Sequence, residues 1–181
     1  MKTLFAAAGL AIGLLLSAPQ QALAQTPAPA PDRQQIEGIV ETFRTSLIKK
    51  DTATFMTLFL HEGITWSGAF TEGSIARFQA SQKDPKAKRP NKYFNGSPRK
   101  FIEGIAKNPA PQEETFENVR IDSDGDVAQV WFDYSYIDDG YKQNWGKESW
   151  QMVRTDSGWK IAAVVWSMED NPVPKPKKKA D

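Results

Sequence analysis

Hydrophobic residues recur along this chain at two different spacings, and the change comes just after Pro109. Before it, Ile36, Ile39, Val40, Phe43 and Leu47 are separated by three- and four-residue steps, which predicts an amphipathic helix from a cap at Asp32 to about Lys49. Asp51 is placed to cap a second helix carrying Phe55, Met56, Leu58 and Phe59. "GITWSGAF" reads as a short strand and "SIARFQA" as a brief helical turn. "SQKDPKAKRPNK" is basic, broken by proline and loop-like. Ser97 and Pro98 join a capping side chain to a proline at the first helical position, so a third helix is predicted to end near Lys107.

After Pro109 the pattern alternates. Strands are predicted over residues 114–122, 126–137, 141–155 and 159–168, separated by the turns "DSDGD", "DDG" and "DSG". Three helices interrupted by one short strand, then four long antiparallel strands, predict an α+β domain with helices on one face of a bent sheet.

Alternation also sorts side chains to faces. On the second long strand Ala128, Val130, Phe132, Tyr134 and Tyr136 share one face, and Val127, Gln129, Trp131, Asp133 and Ser135 the other. On the last strand Trp159, Ile161, Ala163 and Val165 fall together, opposite Ala162, Val164 and Trp166. Both faces of this sheet then read as substantially apolar. Helices cover only one, and an uncovered apolar face on a soluble domain predicts a partner, most simply a homodimer.

The N-terminus changes the picture of where the domain works. Lys2, an apolar run over residues 4–16, and Ala22-Leu23-Ala24 read as a secretory signal peptide over 1–24, cut after Ala24. The apolar run is short for a membrane anchor, and no cysteine follows it to take a lipid. A periplasmic or secreted protein with no transmembrane segment in its mature form is expected. Residues 25–32 form a Pro/Ala linker and 171–181 a Pro/Lys-rich tail expected to be disordered, leaving 33–170 as the domain. The tail reads either as a solubilising segment or as an electrostatic contact with an anionic surface. With no cysteine anywhere, core burial alone must hold the fold. The 23 basic and 22 acidic residues nearly cancel, which argues against a general nucleic-acid surface.

Four stretches together resemble the NTF2-like superfamily, the cone fold of SnoaL-like, DUF4440-like and ketosteroid-isomerase-like domains. They are "IEGIVETFRTSLIKKDTATFMTLF", "GITWSG", "GDVAQVWFDYSYIDDG" and "SWQMVRTDSGWKIAAVVWS". The resemblance spans residues 34–167 and implies a pocket between the helices and the concave sheet face, with the convex face free to pair with a second subunit. It also orients the two faces. Trp66, Phe132, Tyr134, Trp150 and Trp159 are expected to line the pocket, Trp131, Val164 and Trp166 to form a dimer face, and Trp145 to sit at the rim. It does not choose among isomerases, dehydratases, cyclases, transport factors and dimerisation modules, all of which use this fold.

Candidate chemistry is sparse. His61, the only histidine, lies just past the second helix, where it serves either as a general acid/base or as a half-exposed loop residue. Enzymes of the resembled superfamily usually carry a carboxylate or histidine on the first strand or deeper in the cone; residues 64–68 here hold no ionisable group. Tyr134 is the other catalytic candidate, with Asp133, Tyr93, Tyr136 and Glu148 behind it. "DSDGD" resembles a calcium loop only superficially, since its glycine is misplaced and the final glutamate is missing. One histidine and no cysteine make a zinc site improbable, so no metal and no cofactor are expected. The basic segment around Lys86, Lys88 and Arg89 is either a solvated loop or a lid that attracts an anionic ligand. The favoured expectation is a dimeric protein that binds a small apolar or aromatic molecule without catalysis. The alternatives are an isomerase- or dehydratase-type enzyme in the same pocket, and a protein-interaction module of the cell envelope.

Overall fold

A computed structural model describes residues 29–84 and 88–176. The proposed signal peptide, most of the linker, Lys86 and the last lysines lie outside the described residues. Helix α1 runs over Ala30–Lys49, starting three residues earlier than the Asp32 cap predicts. Pro29 takes the cap position, and Asp32 lies in the first turn, buried and ion-paired with Arg154. Ile36, Val40, Phe43 and Leu47 form the buried stripe of α1. Lys50 closes the helix in the left-handed region at φ 56°, its N–H reaching Leu47 and Ser46.

Helix α2 is short, Thr52–Met56, and the Asp51 carboxylate caps it by accepting from the Thr54 N–H. Leu58 and Phe59 fall beyond its end, where Phe59 bridges to Ile161. Strand β1 (Thr65–Phe70) is followed by a full helix α3 (Glu72–Ser81), not a brief turn, capped by Thr71. Strand β2 (Tyr93–Asn95) lies between the segment predicted as loop and the Ser97 cap, in residues for which no element was predicted. Helix α4 (Pro98–Lys107) starts at the predicted Ser97 cap.

The long strands are β3 (Gln112–Ser123), β4 (Val127–Asp138), β5 (Tyr141–Thr155) and β6 (Gly158–Asp170). They form a meander within one six-stranded sheet of order β2-β1-β6-β5-β4-β3. The single parallel pairing, β1 with β6, brings the first short strand back beside the last. The "DSDGD" segment is a hairpin turn: the Asp124 carboxylate accepts from the N–H groups of Asp126 and Val127, and Gly125 supplies φ 102°. Helices α1, α2 and α4 cover the concave face, giving the predicted α+β layering.

Bulges set which way side chains point. In β6, Met152 of β5 faces Ile161 but Gln151 faces Ala163, so Ala162 is an extra residue. One extra residue reverses the alternation downstream of it. Trp159 and Ile161 point inward before the bulge, and Val164 and Trp166 point inward after it. The expectation that Val164 and Trp166 lie on the outer face is therefore corrected: Val164 is fully buried in the core, and Trp166 packs against that core. The outer face is less apolar than strict alternation implies, mixing Trp131, Val127 and Val165 with Gln129, Asp133 and Lys147.

Nearer the end of β6 the ladder with β5 opens, and the Ser167 carbonyl accepts a hydrogen bond from the Tyr134 hydroxyl at 3.1 Å. Gly146 of β5 permits this, because a Cβ there would sit 2.0 Å from that carbonyl oxygen. Gly146→Ala is expected to cost about 3 kcal/mol, the upper range for forced overpacking. Urea unfolding at neutral pH checks this; a change within experimental scatter would mean the two strands can part at no cost.

Candidate functional site

The concave sheet face and the helices enclose a cavity of ≈ 390 Å³. Two groups of residues build its wall. The first is aromatic: Trp66 from β1, Phe94 from β2, Phe101 from α4, Tyr134 and Tyr136 from β4, and Trp166 from β6, with Phe43 of α1 behind them. Trp66 and Trp166 meet edge-to-face with centroids 5.6 Å apart, and Phe94 meets Trp166 at 5.5 Å. The second group is polar and comes from the long strands: Glu114 of β3, and Asn144 and Glu148 of β5. Ser97 and Lys100 at the start of α4 complete the lining, with Lys100 exposed.

Sheet register explains how the polar groups converge. Glu114 faces Tyr136 across one ladder, and Tyr136 faces Asn144 across the next. Phe132, Glu148 and Trp166 form a second such row. Both carboxyls are buried, Glu114 at 6% exposure and Glu148 at 4%. Glu148 accepts a hydrogen bond from the Trp150 indole at 2.5 Å. Glu114 makes no hydrogen bond among the described residues.

Burial penalises the charged form of each carboxyl, and a second negative charge nearby penalises it further. Glu148 is pushed up to about 7 by burial, against the opposing pull of the Trp150 N–H. Glu114 is held well above the ordinary carboxylate range by burial and by neighbouring Glu148. The Tyr134 and Tyr136 phenols are also raised, first by burial and then by Glu114. Tyr134 is thus a neutral hydrogen-bond donor, committed to Ser167. The arrangement can bind an apolar ring, hold a proton on a carboxylic acid, and move that proton near neutral pH.

The sequence-derived site residues separate in space. Trp66 and Tyr134 line the cavity. Phe132, Trp150 and Trp159 share its face but lie in the sealed core beside it, not on its wall. Phe132 and Trp150 meet edge-to-face at 5.1 Å in an interior cluster with Phe43 and Phe116, and neither Phe132 nor Trp150 reaches the cavity wall. Trp159 is covered by the Arg154 guanidinium at 4.7 Å. Trp166, expected on the dimer face, lines the cavity instead because of the β6 bulge. Trp131 is half-buried on the outer face, beside Asp133 and Lys147. Trp145 is also half-buried, with Lys142 over its ring.

His61 is exposed in the loop after α2 and does not line the cavity. Asp133 points outward to Lys147 and Asn118, and Tyr93 is exposed. In the basic segment, Arg89 and Lys92 both reach Glu72 at the start of α3, and neither lines the cavity. Among the described residues no cluster of metal-ligating side chains occurs. No described helix is long and apolar enough to cross a membrane.

Glu114 is the residue that sequence reasoning missed. The available signal was its two-residue offset from Phe116, which places both on one face of β3. Glu148 carried the same signal more strongly, two residues from Trp150 on a strand whose inward face was already assigned.

No family model matches the chain, and no curated protein matches it. Solved structures do. An NTF2-like protein of unknown function from Pseudomonas putida KT2440 superposes with a TM-score of 0.55 at 10% identity, covering 77% of this chain and 87% of its own. One from Shewanella baltica OS155 gives 0.54 at 15% identity over 81% and 100%. A candidate scytalone dehydratase from Novosphingobium aromaticivorans DSM 12444 gives 0.54 at 16% identity over 83% and 96%. At these identities the likeness concerns architecture, and it agrees with the cone of helices on a bent sheet described above. The chain has the NTF2-like fold.

Proposed function

We propose that this chain is an exported small-molecule-binding protein whose ligand occupies the cavity between the sheet and α4. The observation that carries this reading is the wall itself: seven aromatic rings around ≈ 390 Å³, interrupted by a few convergent polar groups. Cavities of roughly 300–1,000 Å³ with that balance are typical of small-ligand sites. The ligand is compact and mainly apolar or aromatic. The outer sheet face around Trp131, with Val127 and Val165 exposed, is the surface we assign to a second copy of this chain.

A second reading has its own support. A carboxyl pushed up to about 7 inside such a cavity is suited to proton transfer, so an acid–base enzyme would use Glu148 and Glu114. His61, distant from the wall, has no part in that reading.

Native mass spectrometry of the mature protein from the exported fraction tests the proposal. A dimer carrying a small organic adduct that denaturation releases is expected. An adduct-free species that also fails to bind aromatic probes, read by quenching of Trp66 and Trp166 fluorescence, would overturn the binding reading. A monomer would remove the second copy from the outer face.

A further inference from the structure

The two carboxyls in the aromatic cavity have no positive partner. Among the described lining residues the only cation is Lys100, exposed on α4. Glu148 has one donor, the Trp150 indole. Glu114, more than nine-tenths buried, has none among the described residues. An ionised carboxylate offers about four acceptor sites, so most of this capacity is unused. Buried acids lacking a counter-charge are costly unless they stay protonated or something supplies the charge.

The rest of the wall favours the same kind of visitor. Aromatic faces are negative, and rings arranged around a space attract a cation placed among them. Trp66, Phe94, Phe101, Tyr136 and Trp166 come from four strands and a helix around this one space. A neutral apolar ligand would satisfy the rings and leave Glu114 without a partner. An anion would meet like charge at Glu114 and Glu148.

We infer that the cavity recognises an organic cation, an ammonium group carried on a compact aromatic or apolar body. This rests on the small-molecule reading above and names the chemical class of its ligand. The ammonium sits against Glu114 and Glu148, and the body sits against the rings of Trp66, Phe101 and Trp166.

The protonation of the site supplies a signature. Burial holds Glu148 near about 7 and Glu114 well above the ordinary carboxylate range, so raising the pH creates the negative charge that the cation meets. Other ionisable groups lie around the pair. Tyr134 and Tyr136 of β4 are pushed up and stay neutral, and Lys100 of α4 is exposed. Asp170 of β6, which acts on Tyr134, is also raised, and it adds negative charge as pH rises.

The test uses two probes of one shape, benzyltrimethylammonium and its neutral carbon isostere neopentylbenzene, titrated against the mature protein by tryptophan fluorescence. The cation is expected to bind at least about tenfold more tightly at about pH 8. Its affinity should rise from about pH 6 to about pH 8, because the probe itself does not titrate, while that of the isostere stays flat. Glu114→Gln/Glu148→Gln should lose the preference and keep the isostere. The pH series on the unmodified protein stands without that variant folding. Equal binding of both probes at all pH values would overturn the cation inference and leave the pocket reading standing. Failure of both probes to bind would overturn both.

Discussion

Between pH 4.5 and about 7 the protein is expected to lose stability, and a Glu114→Gln/Glu148→Gln variant is expected to keep it. The cause is the buried carboxyl pair. In the unfolded chain a glutamate ionises near its ordinary 4.5, whereas in the fold Glu148 is held near about 7. A group whose folded value is raised stabilises the fold fully below the unfolded value, and that contribution disappears as pH rises through the folded one. At about 1.4 kcal/mol per pH unit, Glu148 alone accounts for roughly 3 kcal/mol. Glu114, raised in the same direction by burial and by Glu148, adds a loss of the same sign. The carboxylates held low by partners, such as Glu41 by Arg44 and Glu62 by Arg99, act with the opposite sign. Their window lies below the ordinary carboxylate range, and being exposed they contribute little. Urea denaturation from about pH 4 to about pH 8 should therefore show maximal stability near the acidic end of that range. At the alkaline end the double glutamine variant should be the more stable protein. A flat profile in the unmodified chain would mean that water reaches both carboxyls.

Trp150→Ala should remove about 3–5 kcal/mol, a large share of the 5–15 kcal/mol typical of a domain. Trp150 is fully buried and packs on Phe43 at 5.0 Å and on Phe132 at 5.1 Å. Truncation opens a cavity that three strands and α1 cannot fill by small shifts, since their backbones are fixed by the sheet ladders. It also deletes the indole N–H that Glu148 accepts. Losing that donor raises Glu148 further, so the penalty should grow as pH rises through 7. Trp150→Phe separates the two effects: it keeps most of the ring volume and removes the donor, and should cost about 1–3 kcal/mol. Equilibrium urea unfolding of both variants at two pH values measures this. A loss under about 1 kcal/mol for Trp150→Ala would contradict the sealed cluster.

Much of the fold was readable before any coordinates. The three-and-four spacing of Ile36, Val40, Phe43 and Leu47, the Ser97 cap before Pro98, and the glycine turns between long alternating runs are local signals. They act over a few residues, and the structure uses them where they stand. Strand β2 and the full length of α3 were less visible. Tyr93–Asn95 becomes a strand only because β1 offers it an edge, which is a pairing between distant segments.

The site divides in the same way. Alternation grouped Tyr134 with Phe132 and Glu148 with Trp150, and the family resemblance turned those faces toward the cavity. The sequence by itself also determined that large apolar side chains, tryptophans among them, would be spread along the strands of this sheet. Only the tertiary structure decided their allotment: Trp150 and Trp159 to the interior, Trp66 and Trp166 to the cavity wall, Trp131 and Trp145 to the outer side. For Trp166 the physical reason is the extra residue at Ala162. A bulge is a mismatch between two strands and leaves no mark in either strand alone, yet it reverses every side chain beyond it. The placing of Glu114 and Glu148 on one cavity wall is of the same kind: it depends on how β3, β4 and β5 are aligned, and it sets the charge of the cavity.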